Sequence, residues 1–75
     1  MIQTIEVRAE WPGQVAEVHV AVGDTVAVGQ IVITLESMKM LTDVEAPSAG
    51  KIAAVHVAEH ASVEENDLLL EIAPA

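Results

Sequence analysis

The chain repeats itself without a gap. Gly13-Gln14-Val15-Ala16-Glu17-Val18-His19-Val20-Ala21 returns 37 positions later as Gly50-Lys51-Ile52-Ala53-Ala54-Val55-His56-Val57-Ala58. The likeness continues in type: Thr25 and Val26 return as Ser62 and Val63, Gln30 as Asp67, and Ile31-Val32-Ile33-Thr34-Leu35 as Leu68-Leu69-Leu70-Glu71-Ile72. A solenoid needs three or more repeats to bury a continuous core. Two copies therefore predict a single domain over residues 1–75 with pseudo-twofold symmetry.

A chain of 75 residues buries only about 60% of the surface its unfolded form exposes, so its one core must be efficient. Trp11 is the sole aromatic and Phe and Tyr are absent, although 52% of residues are hydrophobic. The core must be built from Val, Ile, Leu and Ala, and β-branched side chains favour strands. Turn residues at Pro12-Gly13, Gly23-Asp24, Gly29-Gln30, Pro47-Ser48 and Gly50 divide the apolar runs into short pieces. The reading is all-β. Strands are predicted near residues 2–7, 14–20, 30–36, 40–46, 51–57 and 67–72, with short ones around Val26 and Val63. The alternation slips between Val15 and Val18, and again between Ile52 and Val55, which predicts a bulge in each copy.

If Met38-Lys39 closes a two-residue hairpin, residues whose numbers sum to 77 face each other. Ile33 then meets Val44, Leu35 meets Thr42 and Ile31 meets Ala46 on an inward face. Val32 with Glu45, Thr34 with Asp43 and Glu36 with Leu41 form a solvated one. The repeat offset carries this rule to the chain ends, pairing Ile72 with Ile5 and Leu70 with Val7, so that first and last strands join. It also equates Lys39 with Ile2 and Met38 with Ala75, which predicts chain termini at the end of the domain away from the lysine.

Composition narrows the function. Twelve acidic against three basic side chains give a formal charge of −9, which repels a phosphate backbone and excludes nucleic acid as a partner. An acidic surface is instead steered toward electropositive partners. The longest uncharged stretch, Thr25 to Leu35, is too short for a membrane span. Without cysteine there is no disulfide framework or thiolate metal site, and no signal-peptide pattern opens the chain, so the expected location is cytoplasmic. His19 and His56 are repeat equivalents, expected on opposite sides of the domain, and with His60 they are read as surface residues and not as metal ligands. No Ser, His and Asp arrangement and no Gly-rich phosphate loop is present. Glu36, Asp43 and Glu45 read as a solvated acidic patch. Catalytic residues are expected to be absent.

One of only two lysines stands in Glu36-Ser37-Met38-Lys39-Met40. Two-residue hairpins favour Asn-Gly or Asp-Gly because both central residues take positive φ, so Met38-Lys39 is a poor turn. A local rule broken at one exposed point of an otherwise consistent sequence points to a functional demand. On turn chemistry alone, a longer ordinary loop with an incidental lysine accounts for the stretch equally well. Met40 has a structural role open to it, packing at the strand start; an exposed Met38 has none. The other lysine, Lys51, follows Gly50 at a strand start, and its repeat partner is Gln14.

Glu36-Ser37-Met38-Lys39-Met40 resembles the biotin attachment motif, usually Glu-Ala-Met-Lys-Met, of biotin carboxyl carrier domains. Ala9-Glu10-Trp11-Pro12-Gly13 stands where that family has an Ala-Pro-Met-Pro-Gly-like segment. Gly23-Asp24-Thr25-Val26 with Gly29-Gln30 matches its Gly-Asp-x-Val…Gly turns, and Ala46-Pro47-Ser48-Ala49-Gly50 its Ala-Pro-x-x-Gly segment. The likeness covers nearly the whole chain.

The resemblance implies a flattened barrel or sandwich of two small antiparallel sheets, a barrel-sandwich hybrid, with Lys39 at an exposed hairpin tip. It implies a biotin protein ligase joining biotin to the Lys39 amine as an amide, with Glu36, Ser37, Met38 and Met40 completing the motif. The carrier would take CO2 at a biotin carboxylase site, driven by ATP and bicarbonate, and deliver the carboxyl group at a carboxyltransferase site. It would itself be non-catalytic, the tether keeping the cofactor at high effective concentration. Ser37 departs from the usual Ala, and Leu41 from a common acidic residue. His60 and Asn66 replace the glycines of the first copy at 23 and 29, so those turns are expected to keep their shape with some strain.

A lipoyl domain, a carrier of acyl or aminomethyl groups, shares the implied fold, but its usual Asp-Lys-Ala differs from Met38-Lys39-Met40. An unmodified β-domain serving only for interaction is the third reading. No protruding "thumb" segment interrupts the repeats and no Ala- and Pro-rich linker precedes them. The chain is expected to be a free-standing carrier or a domain excised from a larger carboxylase, Met1 favouring the former.

Overall fold

A computed structural model describes residues 3–38 and 40–74. The eight strands run β1 Ile5–Arg8, β2 Gly13–Val18, β3 Thr25–Val26, β4 Ile31–Ser37, β5 Met40–Glu45, β6 Gly50–Val55, β7 Ser62–Val63 and β8 Leu68–Pro74, with no helix among the described residues. β2, β3 and β4 recur 37 residues on as β6, β7 and β8, with identical bounds. The expected duplication is thus physical.

Consecutive strands, β4 and β5 excepted, alternate between two four-stranded antiparallel sheets, in the orders β1-β8-β6-β3 and β5-β4-β2-β7. Each copy of the repeat therefore supplies strands to both sheets, and the pseudo-twofold exchanges one sheet for the other. Neither copy can form a closed sheet alone, which is why the domain is indivisible. Only β4 and β5 are neighbours both in sequence and in a sheet. The 37-residue offset carries Ser37 to Pro74 and Met40 to Gln3, so this connection has no counterpart between consecutive strands among the described residues. Lys39, like Ile2 and Ala75, lies outside the described residues.

The register agrees with the sum rule at Ile33↔Val44, Thr34↔Asp43, Leu35↔Thr42 and Glu36↔Leu41, and at Ile5↔Ile72 and Val7↔Leu70. It departs at the far end of β4. A bulge between Ile31 and Ile33 pairs Ile31 with Glu45, leaving Val32 as the extra residue, fully buried at 0% exposure while Ile31 stands out at 39%. The expectation of an inward Ile31 and an outward Val32 is therefore reversed. An inserted residue breaks the two-residue alternation, and places Val32 inward beside Ile33. The second copy repeats the device, since Val7↔Leu70 is followed by Arg8↔Leu68 and Leu69 is buried. The bulges expected in β2 and β6 fall between Val15 and Glu17 and between Ile52 and Ala54. They restore Val18 and Val55 to packing against the core.

That core is made of Val7, Val15, Val26, Val32, Ile33, Leu35, Ile52, Val63, Leu69, Leu70 and Ile72 from the two sheets, with Ala9, Val20 and Ala46 from the connections, and no described polar side chain is buried. Each fully buried Val, Leu or Ile contributes about 1.5–3 kcal/mol by leaving water. The connecting turns are copied bond for bond. Gly23 N donates to Ile52 O and Ile52 N to Asp24 O; in the second copy His60 N donates to Val15 O and Val15 N to Ala61 O.

Gly23 and Gly29 have φ of +96° and +83°, and His60 and Asn66 repeat this backbone at +74° and +73°. The expected strain is located. A left-handed conformation costs an L-residue about 1–2 kcal/mol, and glycine returns part of that through its unfolded-state entropy. His60→Gly is accordingly expected to stabilise the domain by about 0.5–1 kcal/mol, raising Tm by about 3–6 °C in a thermal scan. The reciprocal Gly23→His should lower it. If both changes move Tm the same way, the turn is not where the strain lies.

Candidate functional site

The tip is defined by the rung beneath it. Ser37 pairs with Met40 as the last rung of β4 and β5, with two positions between them in the manner of a tight hairpin. Met38 has φ +48°, the left-handed conformation such turns demand and a side chain disfavours. Met38 is 93% exposed and Met40 69%, so both flanks of residue 39 stand in solvent. Met40 does not pack as its structural role would require. It shares the side of β5 that carries Thr42 and Val44 but lies beyond the Leu35↔Thr42 pair, and it stays exposed.

Glu36 is exposed on the outer face opposite Leu41, itself exposed, and Ser37 is half-buried at the base of the turn. Gly13 allows this base to be approached closely: a Cβ there would lie 2.6 Å from the Glu36 carbonyl oxygen and 3.3 Å from the Ser37 Cβ. β2 thus runs hard against the root of the hairpin and holds it upright. On the outer face, the Thr34 hydroxyl donates to Asp43 Oδ1 at 3.0 Å and lies 2.8 Å from His19 Nε2. His19 Nδ1 lies 3.2 Å from a Glu17 carboxylate oxygen. This polar chain ties β2, β4 and β5 together below the tip. His56 makes the equivalent contact to Glu71 in the other sheet at 2.7 Å, and the Thr4 hydroxyl, followed by the His56 ring, holds the Glu71 carboxyl below the ordinary glutamate range. No group of three or more metal-ligating side chains gathers among the described residues.

Sequence reasoning passed over Trp11 as a site residue. It is 58% exposed, and with Pro12 it forms one wall of an apolar cleft whose other wall is Ser37, Met38, Met40 and Thr42. The available signal was its being the only aromatic in the chain, placed in a turn and not in a strand, since tryptophan is enriched at interfaces. The structure therefore gathers four of the five motif residues, Glu36, Ser37, Met38 and Met40, around one tip and adds Trp11 to them. The arrangement presents whatever residue 39 carries, on a stiff base and beside an apolar wall.

Residues 4–72 match the family model described as biotin-requiring enzyme. The chain is 45% identical over 67 residues to mitochondrial pyruvate carboxylase of Mus musculus, covering 89% of this chain and 6% of that protein. It is 42% identical over 65 residues to the biotin carboxyl carrier protein of Streptococcus mutans, covering 87% of this chain and 50% of that one. It spans half or less of the length of these relatives. Among solved structures, a single-chain, multi-domain long-chain acyl-CoA carboxylase superposes with a TM-score of 0.91 at 30% identity, over 96% of this chain and 7% of that one. Urea carboxylase of Kluyveromyces lactis gives 0.87 at 31%, over 93% and 6%. Two interleaved sheets, the β4–β5 hairpin and this continuous match make the chain a member of the biotin-requiring enzyme family, a biotinyl domain of the carboxyl-carrier type.

Proposed function

We propose that Lys39 is the residue biotinylated in this domain, and that the loaded domain carries a carboxyl group from a biotin carboxylase site to a carboxyltransferase site. The observation that carries the reading is the pair of exposed methionines bracketing residue 39, with Met38 held at a positive φ that a side chain disfavours. The carboxylase names of the relatives support the biotin reading over a lipoyl one. The site fits the group, because a ligase must grip the flanks of the lysine, and both flanks project from the domain. Biotin, when bound, supplies a ring nitrogen that takes up and releases a carboxyl group.

The chain's own part is positional. β4 and β5 carry Met38 and Met40 out into solvent, Gly13 lets β2 brace the root, and acylation of the Lys39 amine removes one positive charge, taking the formal total from −9 to −10. The tether then makes each visit to a partner site intramolecular, at an effective concentration on the order of millimolar. The acidic surface suits partners with electropositive docking faces; biotin protein ligase, the carboxylase and the transferase are the partners proposed.

Incubation with biotin, ATP and a biotin protein ligase is expected to add a single biotinyl group, seen as one mass increment and as streptavidin retention. A chain that accepts lipoate from a lipoyl ligase and refuses biotin would favour the lipoyl reading. One that accepts neither would leave an interaction module.

A further inference from the structure

We propose that the cleft between the Trp11-Pro12 loop and the Met38–Met40 turn is a resting site for the ring of biotin carried on Lys39, with the Trp11 indole as its platform. This rests on Lys39 being the attachment residue. The fold has no use for Trp11, since the core closes without it and more than half of its surface remains in water at 58% exposure.

Symmetry sharpens the point. The repeat equivalent of Trp11 is Ser48, so the aromatic stands only in the copy whose loop lies beside Met38 and Met40.

The cleft's chemistry matches the ring. Trp11, Pro12, Met38 and Met40 supply an apolar wall, and Ser37 and Thr42 bring hydroxyls to it. Biotin's bicycle joins an apolar thioether ring to a flat urea with donor and acceptor atoms. An indole face stacks on a flat polar ring, thioethers adapt to irregular shapes, and hydroxyls serve as donor or acceptor. Position 39 lies between two residues of the wall, so the ring need not bind tightly. At a tethered concentration on the order of millimolar, a millimolar site is about half filled. Such weak holding shelters the ring between visits and releases it to a partner site.

The sole aromatic is its own reporter. Acrylamide quenching of Trp11 fluorescence would be compared in unmodified protein and in protein shown by intact mass to carry one biotin. The quenching constant is expected to fall about twofold on biotinylation, with NMR cross-relaxation between biotin ring protons and indole protons. In biotinylated Trp11→Ser, the residue of the other copy, that ring should tumble more freely. Fully biotinylated protein with unchanged quenching, or with reduced quenching and no ring-to-indole cross-relaxation, overturns this inference alone. A chain that takes no biotin overturns the attachment reading and this inference with it.

Discussion

Lys39→Arg is expected to end biotin incorporation completely while the domain folds as before. Arginine keeps the charge and much of the length, but its guanidinium stays protonated under all working conditions and offers no free amine to attack an activated carboxyl group. The loss should be all or none, because the chain has one other lysine and its setting is wrong. Lys51 is exposed but sits within β6, flanked by Thr25 of β3 and Ala73 of β8, so a ligase would have to approach a continuous sheet and not a free tip. Lys51→Arg should label fully. Residues 38 and 40 make no contribution to the core, and substitution at such a tip changes stability by less than about 0.5 kcal/mol. The urea midpoint of Lys39→Arg should therefore match that of the parent. Residual streptavidin binding by Lys39→Arg, traced to Lys51, would move the attachment site.

Why the hairpin was readable while the inner half of β4 was not follows from what each depends on. Sequence adjacency specifies the Ser37↔Met40 rung and everything that counts outward from it as far as Ile33↔Val44, since a two-residue turn admits one register. The repeat then transfers this register to β1 and β8, which are distant in sequence, and the Ile5↔Ile72 pair results. Val32 escaped because Ile31, Val32 and Ile33 are all β-branched and apolar: a run of this kind carries no alternation to show where a residue has been inserted. The bulges of β2 and β6 were visible because Glu17 and Ala54 interrupt an otherwise alternating pattern. Trp11 escaped for a different reason. Its role is decided by the meeting of the β1–β2 loop with the hairpin tip, a contact that neither hydrophobic period nor repeat offset encodes. The left-handed turns, by contrast, were legible at His60 and Asn66 because the first copy writes glycine in both places.

Gly50→Ala is expected to destabilise the domain by at least about 3 kcal/mol, the largest effect of any single methyl added to it. The total available to a chain of this length is on the order of 4–11 kcal/mol, so the variant should be partly unfolded at physiological temperature. A Cβ at Gly50 would lie 2.1 Å from the Ala73 carbonyl oxygen and 2.9 Å from the Ile72 side chain. The oxygen belongs to β8, which pairs with β6 through Gly50↔Pro74, Lys51↔Ala73 and Ile52↔Ile72. To make room, β8 would have to lift off β6 at the centre of the β1-β8-β6-β3 sheet, taking the buried Ile72 and Leu70 with it. Gly13, the repeat equivalent, faces the Glu36 carbonyl at 2.6 Å and should be the milder case. Gly23 has nothing within 4 Å, and alanine there meets only the left-handed penalty of about 1–2 kcal/mol. The urea midpoints should therefore fall in the order Gly23→Ala, Gly13→Ala, Gly50→Ala. The two repeat-equivalent glycines also separate stability from function. Gly13→Ala distorts the root of the hairpin at Glu36 and Ser37, so it should slow biotinylation at temperatures where it remains folded, whereas Gly50→Ala should lose biotinylation only in step with folding. Equal labelling rates for folded Gly13→Ala and the parent would show that the ligase is indifferent to how the hairpin is braced.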